Sequence, residues 1–205
     1  MSEPKSIVHL QDNMEGMKAF PDNHFELAIV DPPYGIGDEK LTSGGTWASK
    51  YSKGDAAWDV APPPEYFDEL RRVSKNQIIW GGNYFDLPPT RGFIIWDKKA
   101  HMKTMADCEF AWTSFDRNAK IFQHVRNTSE KRIHVCQKPK QLYRWLLMNY
   151  ANEGDKILDT HLGSGSSRIA AYKLGFDFTA YEIDEDYYRD QEKRFNQFKA
   201  QLTLF

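Results

Sequence analysis

The sequence predicts an α/β fold in a single domain, with a mostly parallel sheet covered by helices on both faces. Short apolar runs alternate along the chain with longer helix-like stretches, a pattern typical of buried parallel strands and their connecting helices. Glycine or polar residues directly follow several runs, and open α/β sheets bind ligands at the carboxyl ends of their strands. We therefore expect the site at that edge. The residues concerned are Asp31, Gly81 to Asn83, Asp97, Gly163 to Gly165 and Glu182.

Each apolar run predicts a strand, and each helix-like stretch between the runs predicts a helix. The predicted strands are Ile7 to Leu10, Leu27 to Val30, Gln77 to Trp80, Phe93 to Trp96, Cys108 to Trp112, Ile121 to Val125, Lys156 to Leu158 and Phe178 to Tyr181. The predicted helices are Glu65 to Val73, Lys140 to Ala151, Ser167 to Lys173 and Asp186 to Leu202. Pro62 to Pro64 precede the first helix, where proline is favoured. The Gly-rich stretch from Gly35 to Gly54 predicts a long mobile loop.

Composition limits the class of protein. The chain has 205 residues, of which 40% are hydrophobic and 14% aromatic, so it can bury the core of one globular domain. We find no apolar run of membrane-spanning length and no signal-peptide pattern at the N-terminus. Cys108 and Cys136 are too few for a disulfide framework or a zinc site, and no grouping of His with carboxylates suggests a metal. Reduced thiols indicate a cytoplasmic protein.

The charge is uneven along the chain, although the formal net charge is only −2. Between Asp116 and Arg144 eight Lys or Arg residues face two acidic residues. A local basic segment is what phosphate binding requires, whereas the alternative is a solvated loop and helix face. The candidate residues for contact with the phosphates of a nucleic acid lie in the segment 116–133 and are Arg117, Lys120, Arg126, Lys131 and Arg132.

The most informative motif is Asp31-Pro32-Pro33-Tyr34, hereafter the DPPY turn, which directly follows the second predicted strand. Proline fixes φ and has no N–H, so this backbone is stiff and presents carbonyls without competing donors. An acid and an aromatic ring flank those carbonyls. The group therefore suits a flat ring that carries an amine: the oxygens accept the amine hydrogens and the phenol ring stacks on the face. The alternative is an ordinary tight turn after a strand.

A second motif, from Ile157 to Ser166, combines a strand, a turn with Gly163 and Gly165, and a helix start. Glycines let the backbone approach a ligand, and helix N-termini favour a carboxylate or phosphate. Glu182 lies about twenty residues later, where an acid can accept both hydroxyls of a ribose. The Walker-type lysine and the third glycine of the dinucleotide fingerprint are absent. The pattern favours a nucleoside with a carboxylate, such as S-adenosylmethionine.

In this order the two motifs resemble the β class of amino-group DNA methyltransferases, and specifically its small phage-type adenine-specific members. Gln137-Lys138-Pro139 matches the cofactor-binding segment of that class, although His134-Val135-Cys136 differs from the usual pattern before it. Trp80 to Phe85 and Trp96 to Lys98 also resemble these members. The resemblance implies a Rossmann-like methyltransferase sheet, S-adenosylmethionine as cofactor and transfer of its methyl group to adenine N6 of a flipped-out base in DNA.

The resemblance also implies residue roles. Asp31 and the Pro32 carbonyl would accept the amine hydrogens, Tyr34 would stack on the base, and the loop with Trp47 and Tyr51 would close over it. The implied catalytic residues are Asp31, Pro32, Pro33 and Tyr34. The implied cofactor-binding residues are Asp12, Asn13, Asp31, Lys138, Asp159, Thr160, Gly163, Ser164, Gly165 and Glu182. For Asp12 a turn or helix cap is an equal alternative.

Two other functions remain open at this stage. Family members with Ser in place of Asp31 tend to methylate cytosine N4, so Asp favours adenine without excluding cytosine. A non-catalytic DNA-binding partner subunit would keep the fold, but its motifs should be eroded, and these are intact. The short segment 116–133 predicts a short or relaxed recognition site, with a homodimer supplying further surface. The recognition sequence itself, and whether a restriction enzyme accompanies this modification activity, do not follow from the residues.

Gln201-Leu202-Thr203-Leu204-Phe205 resembles the bacterial sliding-clamp binding peptide. In such a peptide two large apolar side chains enter a pocket while the Gln amide fixes the register. The implied contacts are Gln201, Leu202, Leu204 and Phe205. The alternative is an apolar tail that folds back onto the domain. The chain is thus expected to work in the cytoplasm of a bacterium or a phage-infected cell.

Overall fold

The computed structural model describes residues 3–36, 59–99, 106–125, 133–134 and 136–202. Its strands are β1 (Ser6–Leu10), β2 (Phe25–Val30), β3 (Ser74–Trp80), β4 (Ile94–Asp97), β5 (Cys108–Thr113), β6 (Lys120–Gln123), β7 (Lys156–Asp159) and β8 (Asp177–Glu182). Its helices are α1 (Asn13–Met17), α2 (Pro64–Val73), α3 (Lys140–Tyr150), α4 (Ser166–Leu174) and α5 (Glu185–Leu202), with one 3-10 turn at Gly82–Tyr84.

The strands form one sheet in the order β1-β8-β7-β2-β3-β5-β4-β6. Among these eight strands only β5 runs in the opposite direction, because it pairs antiparallel with both β3 and β4. The remaining neighbours pair in parallel. The predicted mostly parallel sheet is therefore confirmed.

Helices cover both faces of the sheet. On one face α3 and α4 bury Leu142, Leu146 and Ala171 against the β-strand residues Ile78 and Trp80. On the other face α1 and α2 bury Met17, Tyr66 and Leu70 against their own strand neighbours. Because apolar residues of the central strands point into both layers, the sequences of these strands are nearly continuous apolar runs.

Every predicted strand and helix overlaps an observed element. The largest difference is in β3, which begins at Ser74 directly after α2, three residues before the predicted start. Lys75 and Asn76 lie on a polar part of this strand, yet their backbone continues the parallel pairing with Phe25–Val30. Helix α1 was not predicted, since its five residues are too few to produce a helical period.

The position of β2 in the sheet determines where the site forms. Its neighbours are β7 on one side and β3 on the other. The DPPY turn after β2, the glycine turn after β7 (Thr160–Gly165) and Gly81 after β3 therefore all lie at the carboxyl edge. Within the described ranges, no helix is long and apolar enough to cross a membrane.

Candidate active site

The DPPY turn is fixed by hydrogen bonds at both of its ends. Tyr34 donates its hydroxyl hydrogen to Asp31 Oδ1 at 2.8 Å. The backbone N–H groups of Gly35 and Ile36 donate to the two carboxylate oxygens of Asp59, at 2.9 and 3.1 Å. Neither proline can donate. Asp59 therefore holds the exit of the turn, although no motif in the sequence marks this residue.

The ring of Tyr34 lies in a close-packed aromatic site. Gly81 has a φ of +70°, and a Cβ added there would lie 2.2 Å from the Tyr34 ring. On the ring face, Tyr84 stacks with a centroid distance of 5.0 Å and an interplanar angle of 18°. Only glycine fits at position 81, for both conformational and steric reasons. An aromatic ligand that stacks on the face of Tyr34 covered by Tyr84 would therefore have to displace Tyr84.

Four charged side chains form a continuous series that ends at the DPPY turn; we call Lys98, Glu109, Lys138 and Asp31 the charge chain. Lys98 Nζ lies 2.9 Å from Glu109 Oε1, and Lys138 Nζ lies 3.2 Å from Glu109 Oε2. Lys138 also donates to Asp31 Oδ2, and its side chain is only 3% exposed. The charge chain therefore alternates in sign from the end of β4 to the end of β2.

Burial and charge act in opposite directions on these groups. Burial alone would lower the pKa of Lys138, but Asp31 and Glu109 raise it well above its usual value, so the ammonium is retained. Burial alone would raise the pKa of Glu109, but Lys138 and Lys98 lower it to about 2. The pKa of Asp31 is raised by burial and by Glu109, against the lowering effect of Lys138. Asp31 is thus the most readily protonated acid of the charge chain.

The glycine turn is shaped for a close approach. Gly163 and Gly165 have φ values of +51° and +70°. Helix α5 supports the turn from behind, because Arg194 donates to the Ser164 carbonyl at 2.6 Å and to Ser166 Oγ at 3.1 Å. Ser164 Oγ also pairs with Ser166 Oγ at 3.1 Å. The predicted residues Gly163, Ser164 and Gly165 thus form one rigid unit at the start of α4.

Asp159 and Glu182 lie on either side of this turn. Asp159 accepts the His161 N–H at 3.0 Å and the Ser167 hydroxyl at 2.6 Å. Burial nevertheless raises its pKa to about 7. Glu182 accepts the Gly163 N–H at 2.8 Å on one oxygen and the Asp184 N–H at 2.9 Å on the other. Burial also raises the pKa of Glu182. A carboxylate has about four acceptor positions, so Glu182 can accept further donors.

Asp12, Asn13 and Thr160 lie at the same edge, after β1 and β7. Asp12 caps α1, because one of its oxygens accepts the N–H groups of Met14 and Glu15 at 2.9 and 3.1 Å. Asn13 donates to the Thr160 carbonyl at 3.2 Å. Thr160 Oγ1 pairs with the Tyr66 hydroxyl at 2.6 Å. The helix-cap alternative for Asp12 is therefore observed, and Asn13 is the residue of this pair that contacts the glycine turn.

The segment before α3 brings Lys138 and His134 to the same edge. Lys138, which the resemblance implies as a cofactor-binding residue, contacts Asp31 and Glu109 through its ammonium group. The His134 ring lies 4.3 Å from the Tyr187 ring and beside Gly163, where a Cβ would be 3.3 Å away. Burial lowers the pKa of His134 to about 4. Lys138 thus belongs to the DPPY side of the site, and neutral His134 belongs to the glycine turn.

The predicted DNA-contacting residues do not all lie at this edge. Arg117 follows β5, the antiparallel strand, and donates to the Asn149 carbonyl at 2.9 Å at the opposite edge. Lys120 begins β6, opposite Ile94 at the start of β4. Strand direction therefore separates these two from the site. Arg126, Lys131 and Arg132 lie outside the described residues, as do Trp47 and Tyr51 of the predicted loop and Leu204 and Phe205 of the tail.

A mostly parallel sheet covered on both faces, with a DPPY turn and a glycine turn on adjacent strands, defines the class: a Rossmann-like methyltransferase fold. The chain belongs to the N6_N4_Mtase family, described as DNA methylase, which matches residues 77–193, more than half of its length. This match includes Glu109, Lys138, the glycine turn and Glu182, while the DPPY turn precedes it.

Curated relatives include two type II methyltransferases. Type II methyltransferase M.HinfI of Haemophilus influenzae is 23% identical over 244 residues, covering 92% of this chain and 67% of the relative. Type II methyltransferase M1.MboII of Moraxella bovis is 25% identical over 129 residues, covering 63% of this chain and 44% of the relative. The chain thus spans two thirds of the first relative and less than half of the second.

Solved structures share the fold at low sequence identity. The M1.HpyAVI–SAM complex has a TM-score of 0.62 at 20% identity, covering 92% of this chain and 98% of that chain. The cytosine-N4-specific PvuII DNA methyltransferase has a TM-score of 0.65 at 12% identity, covering 94% and 87%. At such identities these similarities establish the fold.

Proposed function

We propose that this DNA methylase transfers the methyl group of S-adenosylmethionine to the exocyclic N6 of adenine in DNA. One observation carries the proposal: β2 and β7 are adjacent, so Asp31 and the glycine turn lie at the same edge of the sheet. The ends of β2 and β7 are close enough for Asp31 to raise the pKa of Asp159, although burial of Asp159 raises that pKa more. An acceptor for an amine and a binding turn for a nucleoside thus lie side by side.

The residues at the ends of β7 and β8 fit S-adenosylmethionine. The glycine turn provides an approach without side chains, Glu182 has acceptor positions for ribose hydroxyls, and buried Asp159 can accept from an ammonium group. Bound there, the cofactor supplies a methyl group on a positively charged sulfur. Direct transfer from such a sulfonium would require no covalent intermediate on the protein.

The DPPY turn then acts on the base. The lone pair of an aromatic amine is delocalised into its ring, so the amine is a poor nucleophile. Asp31 and the Pro32 carbonyl would accept hydrogen bonds from the two amine hydrogens, favour pyramidal nitrogen and stabilise the positive charge that develops there. The methylated nitrogen then loses one of these protons, for which the Asp31 carboxylate is the acceptor within reach. Tyr34 provides a stacking surface and, through its bond to Asp31, fixes the carboxylate. Alignment in a water-excluding site supplies much of the remaining acceleration.

The test is methylation of DNA with tritiated S-adenosylmethionine, followed by mass analysis of the nucleosides. We expect N6-methyladenine from the wild-type protein and none from Asp31→Asn, which keeps the shape of the side chain. N4-methylcytosine would instead establish the cytosine activity. Binding of DNA without any product would identify a non-catalytic subunit and refute the proposal.

For DNA contact we propose the part of the basic segment that joins β6 to His134. Arg126, Lys131 and Arg132 lie in the sequence between Val125, which follows the carboxyl end of β6, and His134, which lies beside Gly163 of the glycine turn. So short a segment agrees with a short or relaxed recognition site, and a homodimer would supply further surface. Mapping modified bases in methylated genomic DNA tests this; a long, asymmetric, strictly read site would contradict it.

We also propose that Gln201 to Phe205 binds a sliding clamp. Gln201 and Leu202, at the end of α5, are exposed. Attachment to a clamp would concentrate the enzyme on newly replicated DNA by effective concentration alone. Purified bacterial clamp should bind the wild-type protein but not Leu204→Ala with Phe205→Ala, while methylation of clamp-free DNA stays unchanged. Loss of that clamp-free activity would favour an apolar tail that folds onto the domain. Since the substrate is DNA, we place the enzyme in the cytoplasm.

A further inference from the structure

Glu109 occupies a position that neither the DPPY turn nor the glycine turn accounts for. It lies on β5, and its two carboxylate oxygens contact different ammonium groups: Lys98 at 2.9 Å and Lys138 at 3.2 Å. Both ammonium groups are nearly buried, with side-chain exposures of 10% and 3%. Taking charges out of water is costly unless each is paired. Each buried charge therefore needs an oppositely charged neighbour, and Glu109 is the residue that links the two ammonium groups.

The arrangement has a consequence for Asp31. With Lys138 as its sole neighbour, Asp31 would belong to a neutral ion pair with little attraction left for a positive charge. Glu109 shares the same ammonium, so Asp31, Lys138 and Glu109 together carry one net negative charge, and Lys98 compensates it at the far oxygen of Glu109. The compensating cation is thus placed away from Asp31. In a poorly solvated site such a difference in distance changes the local potential strongly.

We propose that Glu109 is a positioning residue for methyl transfer: it holds Lys138 against Asp31 and draws part of the ammonium charge away from that carboxylate. This inference rests on the proposed function, in which Asp31 accepts from the base amine. Asp31 then meets the amine in a fixed orientation and as a strong acceptor. Neither Glu109 nor Lys98 has to touch the base or the cofactor for this role.

Glu109 should also affect the pH dependence of kcat. Glu109 raises the pKa of Asp31, so its removal lowers that pKa. The pKa of Asp159, in contrast, is shifted by burial, Ser167, His161, Asp31 and Glu182, and Glu109 is not among these causes. The acidic limb of kcat should therefore move to lower pH in Glu109→Gln. The charged or titratable groups that act on Asp31, or on which Asp31 acts, are Lys138, Glu109, Tyr34, Tyr66, Tyr143 and Asp159.

The first experiment measures kcat and KM for S-adenosylmethionine against pH. We expect Glu109→Gln to lower kcat on the order of tenfold or more, as loss of a supporting residue around a reacting group typically does, with KM nearly unchanged. Glu109→Asp should recover part of kcat. The matched control is Glu26→Gln, a carboxylate of similar exposure that pairs with Lys75 at 3.1 Å near the opposite edge; it should leave kcat unchanged. A fall in kcat without the shift of the acidic limb would reduce Glu109 to a structural role and overturn the inference.

The second experiment does not depend on activity. A double-mutant cycle of Glu109→Gln and Lys138→Met, followed by urea unfolding, measures whether the two side chains are coupled. We expect a clearly non-additive shift of the unfolding midpoint; additive shifts would overturn the inference. If the wild-type protein methylates no DNA while the coupling is present, the proposed function fails but the charge chain stands.

Discussion

At the end of β2 the site is assembled from side chains that are far apart in the sequence, whereas at the ends of β7 and β8 it is assembled mainly from short local turns. Asp31 depends on Lys138 and Glu109, which come from different elements of the chain. Glu182 depends on backbone N–H groups of Gly163 and Asp184. The first half of the site is therefore sensitive to charge, and the second to backbone conformation.

This difference predicts how each half fails. A substitution in the charge chain should alter turnover while the cofactor still binds. A substitution around the glycine turn should alter cofactor affinity first. Turnover and cofactor affinity, measured on the same variant, therefore distinguish the two halves of the site.

The largest effect is expected from Asp31→Ala. The amine loses its charged acceptor, and removal of one such stabilising group typically costs on the order of 10²–10³-fold in kcat. Lys138 keeps Glu109 as a partner, so the fold should survive. Turnover on DNA and calorimetry with S-adenosylmethionine check this; near wild-type turnover would refute the proposed role of Asp31.

Glu182→Ala should act on the cofactor instead. Hydrogen bonds to a charged group contribute about 1.5–3 kcal/mol each, so we expect the Kd for S-adenosylmethionine to rise roughly 10- to 100-fold. Glu185→Ala, at the exposed start of α5, is the control. Unchanged affinity in calorimetry would transfer the ribose role to Asp184.

Gly81→Ala tests the packing of Tyr34. The φ of +70° costs about 1–3 kcal/mol in a residue other than glycine, and the Cβ would also displace the Tyr34 ring. We expect lower stability together with lower kcat. Gly154 has a φ of +87° but no atom within 4 Å of an added Cβ; Gly154→Ala should thus lose stability alone. Equal kcat values for the two variants would show that Tyr34 tolerates displacement.

Asp159 should make cofactor binding depend on pH. Its folded pKa of about 7 lies above the ordinary value, so the protonated acid stabilises the folded protein below that pH. This contribution is fully present below the unfolded pKa and is lost as the pH rises through about 7. An ammonium group of the ligand requires the ionised acid, so affinity for S-adenosylmethionine should increase between pH 5.5 and 7.5, by at most about tenfold for each pH unit below the pKa of Asp159. Titrations should show this slope, and Asp159→Asn should remove it; a slope that persists in Asp159→Asn would point to another group.

The parts of the site that are formed by residues close together in the sequence could be predicted from the sequence. The DPPY turn, the glycine turn and Glu182 are each recognisable within a few residues, because the strand that carries them ends at the ligand edge. Glu109 could not be found in this way. It is the second residue of a run, Cys108 to Trp112, that predicts only a strand, and its role depends on the insertion of antiparallel β5 between β3 and β4.

The edge of the sheet at which each cation lies could not be predicted from the sequence either. Arg117 and Lys120 belong to the same basic segment as Arg126, but the direction of β5 and β6 brings the first two to the opposite edge. Charge counting along a chain does not include strand direction. The direction and pairing of the strands, which depend on contacts distant in sequence, decide at which edge of the sheet a charge lies.

The smallest effect, and the sharpest test of that placement, is expected in the salt dependence of DNA binding. Each phosphate contact contributes about 0.9 to the slope of log K against log salt concentration. Lys131→Ala with Arg132→Ala should therefore flatten the slope by roughly 2. Arg117→Ala with Lys120→Ala removes the same charge at the opposite edge and should leave the slope nearly unchanged. Fluorescence anisotropy with a labelled duplex at several salt concentrations measures both. If the second pair flattens the slope as much as the first, the DNA path extends around the sheet to the amino ends of its strands, and the whole segment 116–133 belongs to the contact surface.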